Sequence, residues 1–269
     1  MKLWAAKTKH RLKLYRYILI LSLKETFIFR INTLLVGLAP LVWLGTIIIF
    51  LTTLFARIST LGSWQFWEII LLTGVHEIIF SLSWAIFSSN LRNLDRTIDR
   101  GEFDLILTKP VSPRFLATFQ HFNTIGLISL VNSLVLITVS FFHLSFSFTF
   151  FRLIGFILLI AIGLLISLHL HTLATSLTLA FIRAKSLGDI LWEIYEIGHY
   201  PAEIYPTKIR YFFLTAIPVL LFAYLPTAFL LGKINYPWII FALIILLLFS
   251  KAASFAWAWG LKKYQSISS

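Results

Sequence analysis

Long apolar segments dominate this sequence and restrict the folds that it can adopt. Of its 269 residues, 59% are hydrophobic, and the mean hydropathy is +0.88. This composition lies outside the range of soluble domains, and a run of about 20 apolar residues is long enough to cross a bilayer as a helix. We therefore predict an all-α polytopic integral membrane protein, a single domain over residues 1–269 with six transmembrane helices. The predicted spans are residues 32–55, 64–89, 115–142, 150–182, a helix around 189–203, and 236–259.

Basic residues near the two ends of the chain predict its orientation. Residues 1–30 contain eight Lys or Arg residues against one acidic residue, Glu25, and Lys262 and Lys263 follow the last predicted span. Because cytoplasmic loops carry an excess of basic residues, both termini are predicted to be cytoplasmic, with the chain in the plasma or inner membrane. Residues 1–30 are predicted to form an amphipathic helix on the inner surface, as a lipid anchor or as a contact with a partner protein.

One densely charged interior segment, residues 91–114, separates two of the predicted spans. Its five basic and four acidic residues nearly balance, which argues against a simple patch for lipid or nucleic acid. Apolar residues at helical spacing predict that the preceding helix continues out of the membrane as far as Gly101, which ends it. Ser112 and Pro113 are typical of an N-cap and a first helical turn, so the next helix is predicted to begin there.

The residues between these two helices predict a short helix that docks on a soluble partner. Acidic residues in its first turn suit the positive end of a helix dipole, and its apolar residues form a surface too large to face water without a partner. The residues predicted to dock are Arg100, Gly101, Glu102, Phe103, Asp104, Leu105, Leu107, Lys109 and Pro110.

Five polar residues between positions 189 and 203 are spaced by four, three, four and three positions, which predicts that they share one stripe of a helix. The anionic inner leaflet does not favour an acidic face, and each carboxylate facing lipid at mid-depth would cost about 3 kcal/mol. This acidic stripe is therefore predicted to face a water-filled path or a partner subunit. Its members are Asp189, Glu193, Glu196, Tyr200 and Glu203.

Glu77 lies near the middle of the second predicted span, beside His76. A charged side chain at this depth costs about 2.5 to 3.5 kcal/mol, so Glu77 is predicted to face protein or water. We predict an ion pair with Lys251 of the last span, with a role in the substrate path as the alternative. His169 and His171 point about 200° apart on one helix, so these two cannot form a metal clamp. No metal site is predicted.

Several catalytic patterns are missing from the sequence. No stretch matches the G-x-x-x-x-G-K-[ST] pattern that cradles phosphates, so the chain is not predicted to hydrolyse ATP itself. No G-x-S-x-G elbow and no H-E-x-x-H motif is present, and there are no cysteines to form disulfides or thiolate metal sites. We therefore predict that the chain is not an enzyme and binds no cofactor of its own.

Three stretches of the sequence carry motifs that occur together in one known family. The residues are Gly101, Glu102, Asp104, Leu105, Leu107, Lys109, Pro110, Ser112, Pro113 and Phe115 in the charged segment, Tyr205, Pro206, Ile217, Pro218 and Pro226 in the second stretch, and Trp259, Gly260, Leu261, Lys262, Lys263, Tyr264 and Ser266 in the third. In these stretches the chain resembles the membrane permease subunits of type-2 ATP-binding-cassette (ABC) exporters, in particular a branch of uncharacterised permeases.

This resemblance implies a transport permease that works with a separate ABC ATPase. In the family, the loop between the second and third spans holds a coupling helix that sits in a cleft of the ATPase subunit, which binds ATP and Mg. The resemblance also implies a second permease subunit, for which we favour a heterodimer, and a fifth span that lines the route between the two. Residues 205–232 would form two short re-entrant helices from the outer face, whereas hydropathy alone allows one straight span over residues 211–231.

Two other functions are consistent with the sequence. An integral-membrane enzyme that modifies lipids would use Glu77, His76 and the acidic stripe as acid, base or metal-binding groups. A structural or assembly subunit would show neither ATPase coupling nor turnover. Membrane lipids are expected partners, whereas nucleic acid is not, because the location of the +12 net charge along a membrane chain matters more than its sum. An acidic lining suits cationic or amphipathic cargo, and the same carboxylates could equally pair with a partner subunit.

Overall fold

A computed structural model describes residues 2–28, 30–144, 149–181 and 187–264 of the chain. Within these ranges every regular element is a helix, and one isolated bridge pairs Leu61 with Trp64. The predicted all-α class is confirmed. The α-helices are α1 (Lys2–Ile28), α2 (Arg30–Phe55), α3 (Phe66–Ser83), α4 (Ser89–Arg92), α5 (Leu94–Asp99), α6 (Glu102–Leu107), α7 (Pro113–Phe119), α8 (Ile125–His143), α9 (Phe150–Ala180), α10 (Leu187–Glu196), α11 (Thr207–Thr215), α12 (Tyr224–Leu230) and α13 (Pro237–Lys263).

Short helical turns of other types connect some of these helices. A π turn joins α3 to α4, two 3-10 turns follow α10, and another precedes α12. They are Trp84–Ser88, Ile197–His199, Ala202–Ile204 and Val219–Leu221.

Five helical segments in the described ranges are long and apolar enough to cross a membrane. α11 and the segment Val219–Leu230 would together make a sixth, but they are bent by 76° at the break between them, as in a broken span or a re-entrant loop. The chain is therefore a polytopic membrane protein. The five segments are Val36–Phe55, Phe66–Asp99, Ile125–His143, Phe150–Ala180 and Pro237–Lys263.

The prediction of one continuous helix around residues 189–203 is wrong. α10 ends at Glu196, and the two 3-10 turns follow it on either side of Pro201. Proline has no N–H to donate and disfavours the helical conformation of the preceding residue, and Tyr200 is accordingly extended, with φ −113° and ψ 151°. The five polar residues of the acidic stripe therefore do not share one helix face.

The predicted helix boundaries in the charged segment are confirmed. The second span continues as a helical segment to Asp99, and Gly101 then adopts the left-handed conformation with φ 70°. α6 is the predicted short helix. α7 begins at Pro113 with Ser112 as its N-cap residue, although the Ser112 hydroxyl makes no capping hydrogen bond.

A break between α7 and α8 interrupts the third predicted span, residues 115–142. The buried side chain of Asn90 donates hydrogen bonds to the backbone oxygens of Thr118 and His121, at 3.0 and 2.7 Å. These bonds satisfy carbonyl groups that the end of α7 leaves without a helical partner. One side chain of the second span thus stabilises the break in the third.

α9 packs against α3, α10, α12 and α13 and lies at the centre of the bundle. Every residue from 218 to 230 is buried, so the turn before α12 and α12 itself lie inside the protein. Their close approach to α9 depends on Gly163, where a Cβ atom would lie 3.2 Å from the Cα atom of Phe222. Most of the buried apolar residues form one core around these elements, and a second, smaller apolar cluster lies at the charged segment.

The N-terminal segment forms a helix, α1, as predicted, but over its full length the polar and apolar residues do not separate onto two faces, so the predicted amphipathic character is wrong. The Ser22 hydroxyl accepts a hydrogen bond from the backbone N–H of Phe122 at 3.1 Å. The ring of Tyr15 meets that of Phe119 edge-on, with 5.7 Å between centroids. α1 therefore lies against α7 and the break that follows it, at the same end of the molecule as the charged segment.

Candidate functional site

The charged hairpin, residues 91–114, has one face fixed to the rest of the chain. Phe103 is fully buried in the smaller apolar cluster together with Leu94 and Trp257. Its ring meets that of Tyr264 edge-on, with 5.0 Å between centroids. The prediction that Phe103 contacts a partner protein is therefore wrong, because this side chain packs within its own chain.

The face of α6 opposite Phe103 carries the exposed Leu105, and Leu107 is exposed at the end of the same helix. The side chains of Leu105 and Leu107 are 63% and 37% exposed. Because successive helical residues are about 100° apart, Leu105 lies on the far side of the helix from Phe103. Exposed charged residues and a proline flank the leucines. We call the exposed set the docking surface, which comprises Arg100, Glu102, Leu105, Leu107, Lys109 and Pro110.

A hydrogen bond ties the charged hairpin to the end of α13. The hydroxyl of Tyr264 donates to Asp104 Oδ1 at 3.0 Å. Burial, together with this bond and the charge of Asp104, raises the pKa of Tyr264 to about 12. The phenol therefore stays protonated at neutral pH and can donate. Asp104, which was predicted to dock, is half-buried and holds the hairpin in place.

A second link joins the charged hairpin to α10. Arg92 Nε donates to Asp189 Oδ1 at 2.8 Å, and Arg92 Nη2 lies 2.6 Å from the same oxygen. The guanidinium carbon also lies 5.9 and 5.3 Å from the ring centroids of Trp84 and Trp192. Asp189 of the acidic stripe is thus paired with a residue of the hairpin.

A cavity of about 570 Å³ lies among α2, α3, α8 and α10. The structure brings two members of the acidic stripe together here with Glu77 of the second span. Tryptophan rings from three different elements form part of the wall, so the cavity combines carboxylates with aromatic faces. The acidic and aromatic residues that matter for its chemistry are Glu77, Glu193, Glu196, Trp43, Trp84 and Trp192.

Glu77 contacts two residues that no sequence pattern connects with it, Trp43 and His199. Trp43 Nε1 donates to Glu77 Oε1 at 3.2 Å, and His199 Nε2 lies 3.8 Å from the same oxygen. The predicted ion pair with Lys251 is wrong. Lys251 is exposed on α13, whose buried face is turned to α9, so its side chain points away from the core.

The last two residues of the acidic stripe are not among those that line the cavity. Glu203 accepts hydrogen bonds from Trp64 Nε1 and from the Tyr224 hydroxyl, each at 3.0 Å. Tyr200 is half-buried and follows the first 3-10 turn. The carboxylate of Glu203 therefore joins the segment after α10 to the start of the second span and to α12.

Three buried groups beside the cavity could hold a metal ion. His76, Glu77 and His199 each offer a ligand atom, and these atoms all lie within 4.8 Å of one another. His76 and Glu77 are neighbours in the sequence, but no sequence pattern connects them with His199, which lies far along the chain. The sequence signal that could have linked His199 to this site was its position three residues after Glu196, about one helical turn further on.

A comparison with protein families decides between the functions that the sequence left open. The family described as ABC-2 family transporter protein matches residues 41–268. The chain belongs to this family. As an ABC-2 permease it is the membrane subunit of a transporter and not itself an enzyme, and the lipid-modifying alternative gains no support. No match was found among curated proteins or solved structures.

The matched range of this ABC-2 permease contains both features described above. The docking surface and the residues of the cavity that carry its charge all fall within residues 41–268. ABC-2 permeases generally work with an ATPase subunit.

Proposed function

We propose that this permease is part of an exporter in the plasma or inner membrane and that the docking surface binds a separate ABC ATPase. The observation that carries this proposal is the exposure of Leu105, on the face of α6 opposite the buried Phe103, and of Leu107 at the end of the same short helix. Exposed leucines on a helix in water are typical of a protein contact. ATP and Mg would be bound by the partner and not by this chain.

The link between the docking surface and the cavity supports a coupling role. α6 follows directly on the helical segment Phe66–Asp99, which is 34 residues long and carries Glu77 on the cavity wall. Phe103 packing and the bond between Tyr264 and Asp104 hold α6 to the body. Movement of the ATPase against α6 would therefore be transmitted along this helical segment to the cavity.

A second permease subunit would cover the open side of the cavity. In α2, which borders the cavity, only 6% of the membrane-spanning window is buried, compared with 72% in the segment that contains α3. Glu193 is exposed on α10 beside the cavity, and a carboxylate that faces lipid is unfavourable. A partner subunit, for which we favour a non-identical permease, would remove that cost.

The cavity lining favours an amphipathic cation as cargo. The faces of Trp43, Trp84 and Trp192 can attract a cation through their π systems, and the carboxylates of Glu193 and Glu196 supply negative charge. The remaining apolar wall would accept the non-polar body of the same molecule. The cavity would then border the path between the two permeases.

The proposed topology has both termini and the charged hairpin in the cytoplasm, with residues 205–232 re-entering from the outer face. The 76° bend between α11 and the buried segment that follows supports re-entry over a straight span. At the opposite end of the second span from the hairpin, Lys233 lies 3.0 Å from Glu68 and 4.8 Å from the ring centroid of Trp64. These contacts suit the membrane–water interface on the outer face, because tryptophan is common at such interfaces.

The docking assignment is tested by replacing the two exposed leucines with Asp and co-expressing the permease with its ABC ATPase. Leu105→Asp with Leu107→Asp should abolish co-purification of the ATPase, because the apolar contact is replaced by charge. The matched control, Leu105→Met with Leu107→Met, keeps the apolar surface and should retain the ATPase. Retention of the ATPase by the Asp variant would show that α6 is not the contact.

A further inference from the structure

We propose that His76, Glu77 and His199 form a binding site for a divalent transition-metal ion of the zinc class, beside the membrane cavity. This site goes beyond the proposed transport function and does not depend on the identity of the cargo. The three side chains come from α3 and from the 3-10 turn after α10, so a bound ion would join these two elements.

The spacing of the three groups fits a coordination sphere better than a hydrogen-bond network. Their ligand atoms all lie within 4.8 Å of one another, and His199 Nε2 is 3.8 Å from Glu77 Oε1 and 3.5 Å from Glu196 Oε2. These distances are too long for good hydrogen bonds. Ligands that lie about 2.0 to 2.1 Å from a tetrahedral zinc ion are separated by about 3.3 Å. The ring centroids of His76 and His199 are 3.7 Å apart, so one ring would have to turn before both could ligate the same ion.

The tautomer of His76 leaves one ring nitrogen free to bind an ion. His76 Nε2 lies 2.9 Å from the backbone oxygen of Tyr195, and since a carbonyl oxygen can only accept, Nε2 carries the proton. In the neutral ring Nδ1 then has a lone pair. Among the described residues, this buried atom has no hydrogen-bond partner. A histidine that ligates a metal typically donates its other N–H to a backbone carbonyl in this way.

Burial and charge at the site favour a cation. His76, Glu77 and His199 are 2%, 8% and 4% exposed. Among the residues that the structure describes, no Lys or Arg nitrogen lies within 4.0 Å of the Glu77 carboxylate, which has one hydrogen bond, from Trp43. A buried carboxylate needs compensation. A divalent ion would supply it, and the carboxylates of Glu77 and Glu196 would together balance its charge.

The donor set selects the class of ion. Two imidazoles with a carboxylate suit zinc and its first-row neighbours, whereas magnesium and calcium prefer oxygen ligands alone. Glu77 and His199 also line the cavity, so the fourth coordination position faces it. Glu196, which lines the same wall, is within reach of that position. The ion would fix the end of α10 to the second span where the helix breaks.

The test is metal binding by the purified permease in detergent, after chelation and without any ATPase. We expect one Zn²⁺ per chain, measured by competition with a chelating dye, and the visible absorption of tetrahedral Co²⁺ when cobalt is used as the probe. His199→Gln and Glu77→Gln should each weaken Zn²⁺ binding at least about tenfold. His171→Gln is the matched control, since His171 is equally buried and contacts Tyr195 but lies outside the site.

The proposal would be overturned if the wild-type protein failed to bind one Zn²⁺ per chain. It would also be overturned if the wild type, His199→Gln and Glu77→Gln bound Zn²⁺ with equal affinity. Glu196→Gln gives a second measurement on a half-exposed side chain that the fold does not depend on, and it should weaken Zn²⁺ binding to a smaller extent. Because no step of this assay uses ATP or cargo, its outcome is independent of whether the docking surface binds an ATPase.

Discussion

Two residues of α6 that lie two positions apart have opposite environments. Phe103 is fully buried and Leu105 is mostly exposed. Both are large apolar residues in a segment between two membrane helices, and from the sequence both were predicted to meet a partner protein. The helix can bury only one of its faces against its own chain. The face with Phe103 is the buried one because it packs on Leu94 of the same hairpin and on Trp257 and Tyr264, which are distant in the sequence.

Replacement of Phe103 by Ala should destabilise the permease rather than only release the ATPase. Removing a fully buried phenylalanine leaves a cavity that typically costs about 3 to 5 kcal/mol. We expect a clear fall in the unfolding temperature of the purified variant in detergent. Leu105→Ala, on the exposed face, is the control and should unfold at the wild-type temperature. Equal unfolding temperatures for all three proteins would contradict the assigned burial.

At the scale of elements, α10 separates functions that the sequence grouped together. Its first turn holds Asp189 in the ion pair with the charged hairpin, and its last two turns place Glu193 and Glu196 on the cavity wall. Pro201 then stops any continuation of the helix, so Glu203 reaches Trp64 and Tyr224 instead. One short helix therefore contacts both the hairpin and the cavity.

The pair of Arg92 and Asp189 should matter more for coupling than for stability. Its side chains are 37% and 61% exposed, and exposed ion pairs contribute about 0 to 1 kcal/mol. We expect Asp189→Asn to unfold like the wild type but to reduce cargo-stimulated ATPase activity about fivefold, the low end of typical coupling energies. Glu25→Gln, an exposed residue of α1, is the control. Full stimulation in Asp189→Asn would rule out a coupling role for this pair.

At the scale of the whole molecule, the five candidate spans and the bent pair place the charged hairpin and the segment around Lys233 at opposite ends of the second span. The docking proposal requires the hairpin to be cytoplasmic. The excess of basic residues near the chain termini favours this orientation, because basic loops are retained inside.

Single cysteines report the orientation directly, since the natural chain contains none. We expect Lys109→Cys, on the docking surface, to react with a membrane-impermeant maleimide only after the cells are permeabilised. Lys208→Cys, at the start of α11, should react in intact cells if residues 205–232 re-enter from outside. Labelling of Lys109→Cys in intact cells would place the hairpin outside the membrane and end the docking proposal.

Local rules were sufficient for much of this molecule. The composition predicted a helical membrane protein, Gly101 and Pro113 marked helix boundaries in the charged hairpin, and the motifs around Glu102 pointed to the family that the match over residues 41–268 confirms. The sequence failed where a polar residue had several possible partners. Glu77 was paired with Lys251 because both lie in apolar spans, but only the packing of α13 on α9 shows that Lys251 faces outward.

The sequence by itself determined the membrane class, the position of the charged hairpin and its helix boundaries, since these depend on hydropathy and on the backbone preferences of a few residues. Only the tertiary structure decided which face of α6 is free and which carboxylates line the cavity. It also brought His199 beside Glu77. These outcomes depend on contacts between helices that are distant in the chain, and helical spacing specifies a face without specifying what that face will meet.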